Sequence, residues 1–127
     1  MGLDMYAFRV AKEYATGDFE ISKSKYEDLT EIMYWRKHHD LHGWMERLYR
    51  AKGGTKESFN CVPVRLTMED LNALEADVLG NKLPETQGFF FGTNPPDAES
   101  MQHDMEFIGK AKVAIATGDV VYYDSWW

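Results

Sequence analysis

Apolar and polar residues alternate near both ends of the chain. In residues 2–11, GLDMYAFRVA, the side chains of Leu3, Met5 and Ala7 share one side of an extended segment, which predicts a strand. The closing residues, DVVYYDSWW, are rich in β-branched and aromatic side chains and predict another strand. Because an unpaired strand of this composition would expose an apolar edge, we expect it to pair near the first strand.

A longer segment, Tyr26 to Ala51, has the spacing of one amphipathic helix that ends at Gly53-Gly54. Residues three or four positions apart predict the buried stripe of this helix: Tyr34, His38, Leu41, Met45 and Leu48. Trp35 and His42 lie on one shoulder of the stripe, where a helix would shield them partly from solvent.

Two shorter helices are predicted after this segment, and a strand precedes the first of them. Val62, Val64 and Leu66 alternate as in a strand, and Thr67 with Asp70 resembles a capping box that opens a helix. The buried row of that helix is predicted to be Leu71, Leu74 and Val78, with Gly80 as its stop. The last helix is predicted to begin near Pro96, to end at Thr117-Gly118 and to bury one side made of Met101, Met105, Ile108 and Ile115.

Two other segments are predicted to be short or irregular. A strand over Phe19 to Ser22 would form a hairpin with the first strand, and residues 83–96 would form a loop around a short extended piece. Strands at both ends with helices between them predict an α+β fold in a single domain, residues 1–127. About three helices would pack on a small, mainly antiparallel sheet that contains both termini.

The net charge of the chain limits the kinds of partner that we expect it to bind. The net charge is −7 and the isoelectric point is about 5.0, and the longest basic run is Arg36-Lys37. General nucleic-acid binding is therefore not expected, since it needs clustered Lys and Arg against phosphates. No apolar run approaches the ~20 residues of a membrane helix, and Cys61 is the only cysteine. We expect a cytoplasmic protein with no membrane contact and no cofactor.

Several short motifs resemble, in the same order along the whole chain, a family of small proteins from bacteriophages, prophages and bacteria that has no assigned activity. These motifs are MGLDMY at the start, YWRK with HGW after it, LPETQGFFFG, and YYDSWW at the end. On the family pattern the matching positions are Asp4, Tyr34 to Lys37, His42, Trp44, Gln87 to Gly92 and Ser125-Trp126. Glu85 departs from the pattern by lengthening a tighter Leu-Pro-Thr-Gln loop. The resemblance implies a phage-type origin and a single fold, and it implies no reaction.

His42 is the candidate for catalysis, because a neutral imidazole can act as an acid or a base near pH 7. Its orienting partner would have to come from another segment, and Asp124 and Ser125 are candidates. His38 and His42 have the i, i+4 spacing of two metal ligands, with a third ligand needed from Asp4, His103 or Asp124. The sequence lacks the His-Glu-x-x-His pattern of a zincin, so no metal site is predicted. Cys61 is interpreted as a small buried residue rather than a nucleophile.

Aromatic residues form 14% of the chain, more than one small core usually needs. We expect some of them to form a cleft for a planar ligand or a protruding side chain, and the predicted ligand-binding residues are Trp35, His42, Gln87, Phe90, Tyr123 and Trp126. The function hypothesis is a non-catalytic binding protein for a host protein or a small cytoplasmic ligand. The alternatives are a small hydrolase or transferase that uses His42, and a homo-oligomer whose aromatic surface is its interface.

Overall fold

Three helices pack on one side of a four-stranded antiparallel sheet, which confirms the expected α+β class. The structure is a computed structural model that describes residues 3–19, 30–80, 82–83 and 98–127. Its elements are β1 (Asp4–Ala11), a 3-10 helix (Lys12–Tyr14), β2 (Thr30–Arg36), α1 (His39–Ala51), β3 (Val64–Leu66), α2 (Met68–Leu79), α3 (Ala98–Ala116) and β4 (Asp119–Trp126).

The first and last strands are neighbours at the centre of the sheet. The strand order is β2-β1-β4-β3, and β1 pairs with β4 from Asp4 opposite Trp126 to Ala11 opposite Asp119. The pairing expected from the aromatic composition of β4 is therefore confirmed. β3 is an edge strand, and Pro63, which has no N–H to donate, directly precedes it.

The prediction of a single long helix from Tyr26 to Ala51 is wrong, because Thr30–Arg36 is the strand β2 and the helix α1 begins only at His39. Met33 and Trp35 are buried while Tyr34 and Arg36 are exposed, which is the two-residue period of a strand with one buried face. Lys37, with φ of 60°, turns the chain between the two elements.

The prediction of the buried stripe is confirmed only for the residues that lie within α1. Leu41 and Met45 are fully buried, whereas Tyr34 is 42% exposed on the sheet. The helix ends at Ala51, as expected, and Gly53 follows with a φ of 99°, in the left-handed region that favours glycine.

The second and third helices match the sequence pattern closely. Thr67 caps α2 by accepting a hydrogen bond from the Asp70 backbone, and the Asp70 carboxylate accepts one from the Thr67 backbone, which completes the capping box. The predicted row of α2 is buried, namely Leu71, Leu74 and Val78. The predicted side of α3 also faces the core: Ile108 is buried, and Met101, Met105 and Ile115 pack against the core while partly buried.

Among the described residues, the other side of the sheet is covered at one end only. Residues 12–19 pass over that end, where Val10 and Val120 are buried and the Tyr122 hydroxyl donates a hydrogen bond to the Gly17 carbonyl at 2.6 Å. The opposite end, around Asp4 and Trp126, keeps exposed side chains.

The residues expected in the hairpin strand after Phe19 and in the loop after Leu83 lie outside the described residues, and so does Pro96. Within the described part of the chain, no helix is both long enough and apolar enough to cross a membrane.

Candidate functional site

The structure divides the predicted ligand-binding residues between the two faces of the sheet. Trp35, His42 and Tyr123 lie on the helix-covered face and are 4%, 3% and 0% exposed. Trp126 lies on the other face and is 65% exposed. Trp126 therefore lines no common cleft with the other three. Gln87 and Phe90 lie outside the described residues, and a ligand-binding role for the set stays a prediction.

His42 belongs to a buried hydrogen-bond network between α1 and β4. Its Nδ1 lies 2.7 Å from the hydroxyl of Tyr123, and the ring also hydrogen-bonds to the backbone of Phe59. Burial lowers the pKa of His42 to about 4 and raises the pKa of Tyr123 well above its ordinary value. His42 is therefore neutral near pH 7, and its Nδ1 accepts a hydrogen bond from the Tyr123 hydroxyl.

The partners expected for His42 differ from those observed. Ser125 is buried and hydrogen-bonds to Tyr123, the partner of His42, whereas Asp124 pairs with Tyr6 on the opposite face of the sheet. A neutral, enclosed imidazole held by a phenol and a carbonyl fixes α1 to β4.

A second network is centred on Asp104, which is 2% exposed on α3. Its two carboxylate oxygens contact Trp35 Nε1 at 3.1 Å and His38 Nε2 at 2.8 Å. His103 adds an edge-to-face contact with the Trp35 ring and places its Nε2 3.1 Å from the carbonyl oxygen of Tyr34. Together these contacts join β2 and the start of α1 to α3.

Asp104 was missed at the sequence level, although one signal pointed to it. It lies three residues after Met101 and four before Ile108, within the apolar side of α3. A carboxylate at such a position requires hydrogen-bond donors from elsewhere in the chain, because an unpaired buried charge is costly. The donors, Trp35 and His38, are more than sixty residues away in sequence.

The two histidines considered as metal ligands contact different partners: His38 contacts Asp104, and His42 contacts Tyr123. Among residues 3–19, 30–80, 82–83 and 98–127, no group of three His, Cys, Asp or Glu side chains is arranged to hold a metal ion. Cys61 is exposed, so its interpretation as a buried residue is wrong; its φ of 58° places it in a turn beside β4.

Four aromatic side chains, two of them exposed, lie at the end of the sheet that the described residues leave uncovered. We call this region the open sheet face; it comprises Asp4, Tyr6, Phe8, Glu31, Tyr34, Arg36, Asp124 and Trp126. The Tyr6 ring lies 5.3 Å from the Tyr34 ring and 6.0 Å from the Phe8 ring, measured between centroids. Tyr34 and Trp126 are 42% and 65% exposed. The rings thus form a continuous row across β2 and β1, with Trp126 beside it on β4.

Carboxylates surround Tyr6 on this face. Burial raises the pKa of Tyr6, and the negative charges of Asp4, Glu31 and Asp124 raise it further. The Tyr34 hydroxyl donates a hydrogen bond to Asp4 Oδ1 at 2.6 Å, and this bond raises the pKa of Tyr34. The open sheet face is therefore both aromatic and predominantly anionic.

A shallow hollow of about 490 Å³ lies between the beginning of β2 and α3. Its lining consists of Arg9, Thr30, Glu31, Ile32, Gly109, Lys110 and Val113. None of these side chains was predicted to bind a ligand, and Glu31 alone joins the hollow to the open sheet face.

Comparison with protein-family models, with curated proteins and with solved structures found no match to this chain. The resemblance to small phage and bacterial proteins therefore stays a prediction from the motifs.

Proposed function

We propose that this protein is a non-catalytic binding protein whose contact surface is the open sheet face. The observation that carries the proposal is the exposure of Trp126 on a central strand whose other aromatic residues, Tyr122 and Tyr123, are fully buried. A tryptophan exposed beside further aromatic side chains is typical of the anchor of a protein interface.

The shape of the surface favours a protein partner over a small ligand. Small molecules bind in concave sites that enclose most of their surface, whereas a sheet face with alternating side chains is broad. The phage-type motifs support a host protein as the partner and the host cytoplasm as the place of action.

Catalysis by His42 is less well supported by the geometry. A general acid or base must reach the proton that it transfers, and His42 is enclosed by Phe59 and Tyr123. Its pKa of about 4 also leaves it unable to supply a proton near pH 7.

The proposal is tested by comparing the wild-type protein with Trp126→Ser and Leu79→Ser. Leu79 is a matched control because it is 60% exposed at the end of α2, on the helix side of the molecule. Proteins retained from a host lysate by each immobilised variant are identified by mass spectrometry. The main candidate is then purified and titrated calorimetrically.

We expect Trp126→Ser to weaken the purified complex at least roughly tenfold, as truncation of an aromatic anchor does, and Leu79→Ser to leave it within about twofold. Equal binding by all three proteins would refute the proposal. Light scattering tests the homo-oligomer alternative directly. If the wild type is a dimer and Trp126→Ser is a monomer, the partner of this surface is a second copy of the chain and not a host protein.

A further inference from the structure

We infer that the open sheet face recognises a cationic side chain of its partner, a guanidinium or ammonium group held against the rings of Tyr6 and Tyr34 and beside the carboxylates of Asp4, Glu31 and Asp124. This inference rests on the proposed function and names the chemistry of the partner. It follows from the rings, the charges and the side-chain exposure on this one surface.

The rings provide the first part of the argument. The face of a tyrosine ring carries partial negative charge and attracts a cation within about 6 Å of its centroid. Tyr6 and Tyr34 are adjacent cross-strand partners, with their planes inclined at 50°. A cation placed above this pair can therefore contact both ring surfaces.

The charges provide the second part. The registers place Asp4 next to Tyr6 on β1, Asp124 opposite Tyr6 on β4, and Glu31 opposite Phe8 on β2. Arg36 lies opposite Asp4. Burial raises the pKa of Asp124, and the positive charge of Lys56 offsets part of this effect. Among the described residues of this face, three carboxylates exceed one guanidinium, in a chain whose net charge is −7.

Charge complementarity therefore favours a basic partner. An acidic or phosphorylated segment would bring negative charge toward three carboxylates, and a purely apolar segment would leave them without partners on burial. An arginine or lysine side chain complements both the aromatic rings and the carboxylates, because its alkyl stem packs on the rings while its charged head contacts the carboxylates.

The test uses hexaarginine as the probe, titrated calorimetrically at low salt, with hexaglutamate as the negative control. Two charge variants form a matched pair: Glu31→Gln removes an exposed carboxylate from the open sheet face, and Glu69→Gln removes an exposed one from α2. Each changes the net charge by one. We expect Glu31→Gln to weaken hexaarginine binding about two- to fivefold and Glu69→Gln to leave it nearly unchanged.

Two ring variants separate the aromatic contribution from the hydrogen bond. Tyr34→Leu removes the ring and keeps an apolar side chain, and we expect it to weaken binding about two- to fivefold. Tyr34→Phe removes only the hydroxyl that contacts Asp4, and we expect it to stay within about twofold of the wild type.

Equal weakening by Glu31→Gln and Glu69→Gln would overturn the inference, because the probe would then sense only the total charge. Absence of hexaarginine binding, or equal binding of hexaglutamate, would overturn it as well. In those cases the proposed function still stands if Trp126→Ser disrupts a purified complex, so the two failures are distinguishable.

Discussion

Acidification should destabilise the fold through His42. The folded protein holds His42 neutral, with a pKa lowered by burial from 6.5 to about 4, whereas the unfolded chain exposes it to water. Between these two values the unfolded state binds a proton that the folded state excludes. The free energy of unfolding therefore falls as the pH is lowered through this window, and the contribution is complete only above the unfolded pKa.

The magnitude follows from the two pKa values. Each pH unit between 6.5 and about 4 corresponds to about 1.4 kcal/mol, so the whole interval corresponds to roughly 3 kcal/mol. His42 is 3% exposed, so solvent screening reduces this contribution little. Single domains of this kind are stable by only ~5–15 kcal/mol, and such a loss would be a large part of the total.

The assay is urea denaturation at a series of pH values from 7.5 to 4.5, for the wild type and for His42→Asn. Asparagine at this position keeps a side chain that accepts a hydrogen bond from Tyr123 but has no proton to gain. His39, whose pKa is also lowered by burial, titrates in both proteins. The difference between the two free energies of unfolding therefore reports mainly on His42, whose pKa the neighbouring His39 also lowers. We expect this difference to change by about 2–3 kcal/mol across the series.

Parallel pH dependences for the two proteins would refute this reasoning. A nuclear magnetic resonance titration gives an independent check, because the ring nitrogens of His42 report its protonation directly. A titration midpoint for His42 at or above 6.5 would show that the ring is not buried as described.

Three further substitutions test the packing. Asp104→Ala should lower the free energy of unfolding by about 2–4 kcal/mol, because it leaves Trp35 Nε1 and His38 without their acceptor. Asp104→Asn should lower this free energy by less. Equal decreases for the two variants in urea denaturation would argue against the network. Tyr123→Phe should cost about 1–3 kcal/mol in the same assay by leaving a buried nitrogen of His42 unsatisfied, and a neutral effect would contradict the hydrogen bond. Thr67→Ala should cost about 1 kcal/mol, seen as a fall of a few degrees in the melting temperature, and an unchanged midpoint would mean that the cap contributes nothing.

The sequence predicted best those elements whose determinants are local. The α2 helix follows from a capping box and from Leu71, Leu74 and Val78, all within twelve residues of one another, and the structure confirms each of them. The alternation in β1 and the composition of β4 likewise predicted strands that pair.

The long helix failed because a three-to-four residue spacing and a two-residue alternation coincide over a few positions. Tyr34 fits the helical stripe of α1 when that stripe is extended backwards, but Met33 and Trp35 are the buried residues. The break occurs at Lys37, a residue type that gives no sign of a left-handed backbone conformation. No glycine or proline marks the boundary between β2 and α1.

The candidate site was less predictable, because its contacts join distant segments. Asp104 meets Trp35 across 69 residues, and His42 meets Tyr123 across 81. The pairing of strands decides which face each aromatic side chain occupies, and a change of one position moves a side chain to the opposite face. This is why Trp126 and Tyr123 were expected together and lie apart.

The placement of β1 beside β4 has a consequence for biosynthesis. Arg9 and Asp119 form an ion pair across 110 positions, so the middle of the sheet closes only after β4 has emerged from the ribosome. Until then the nascent β1 lacks its main neighbour and presents unsatisfied amides to other chains. Folding should consequently be slow for a domain of this size, with chaperone dependence at high expression as its visible sign.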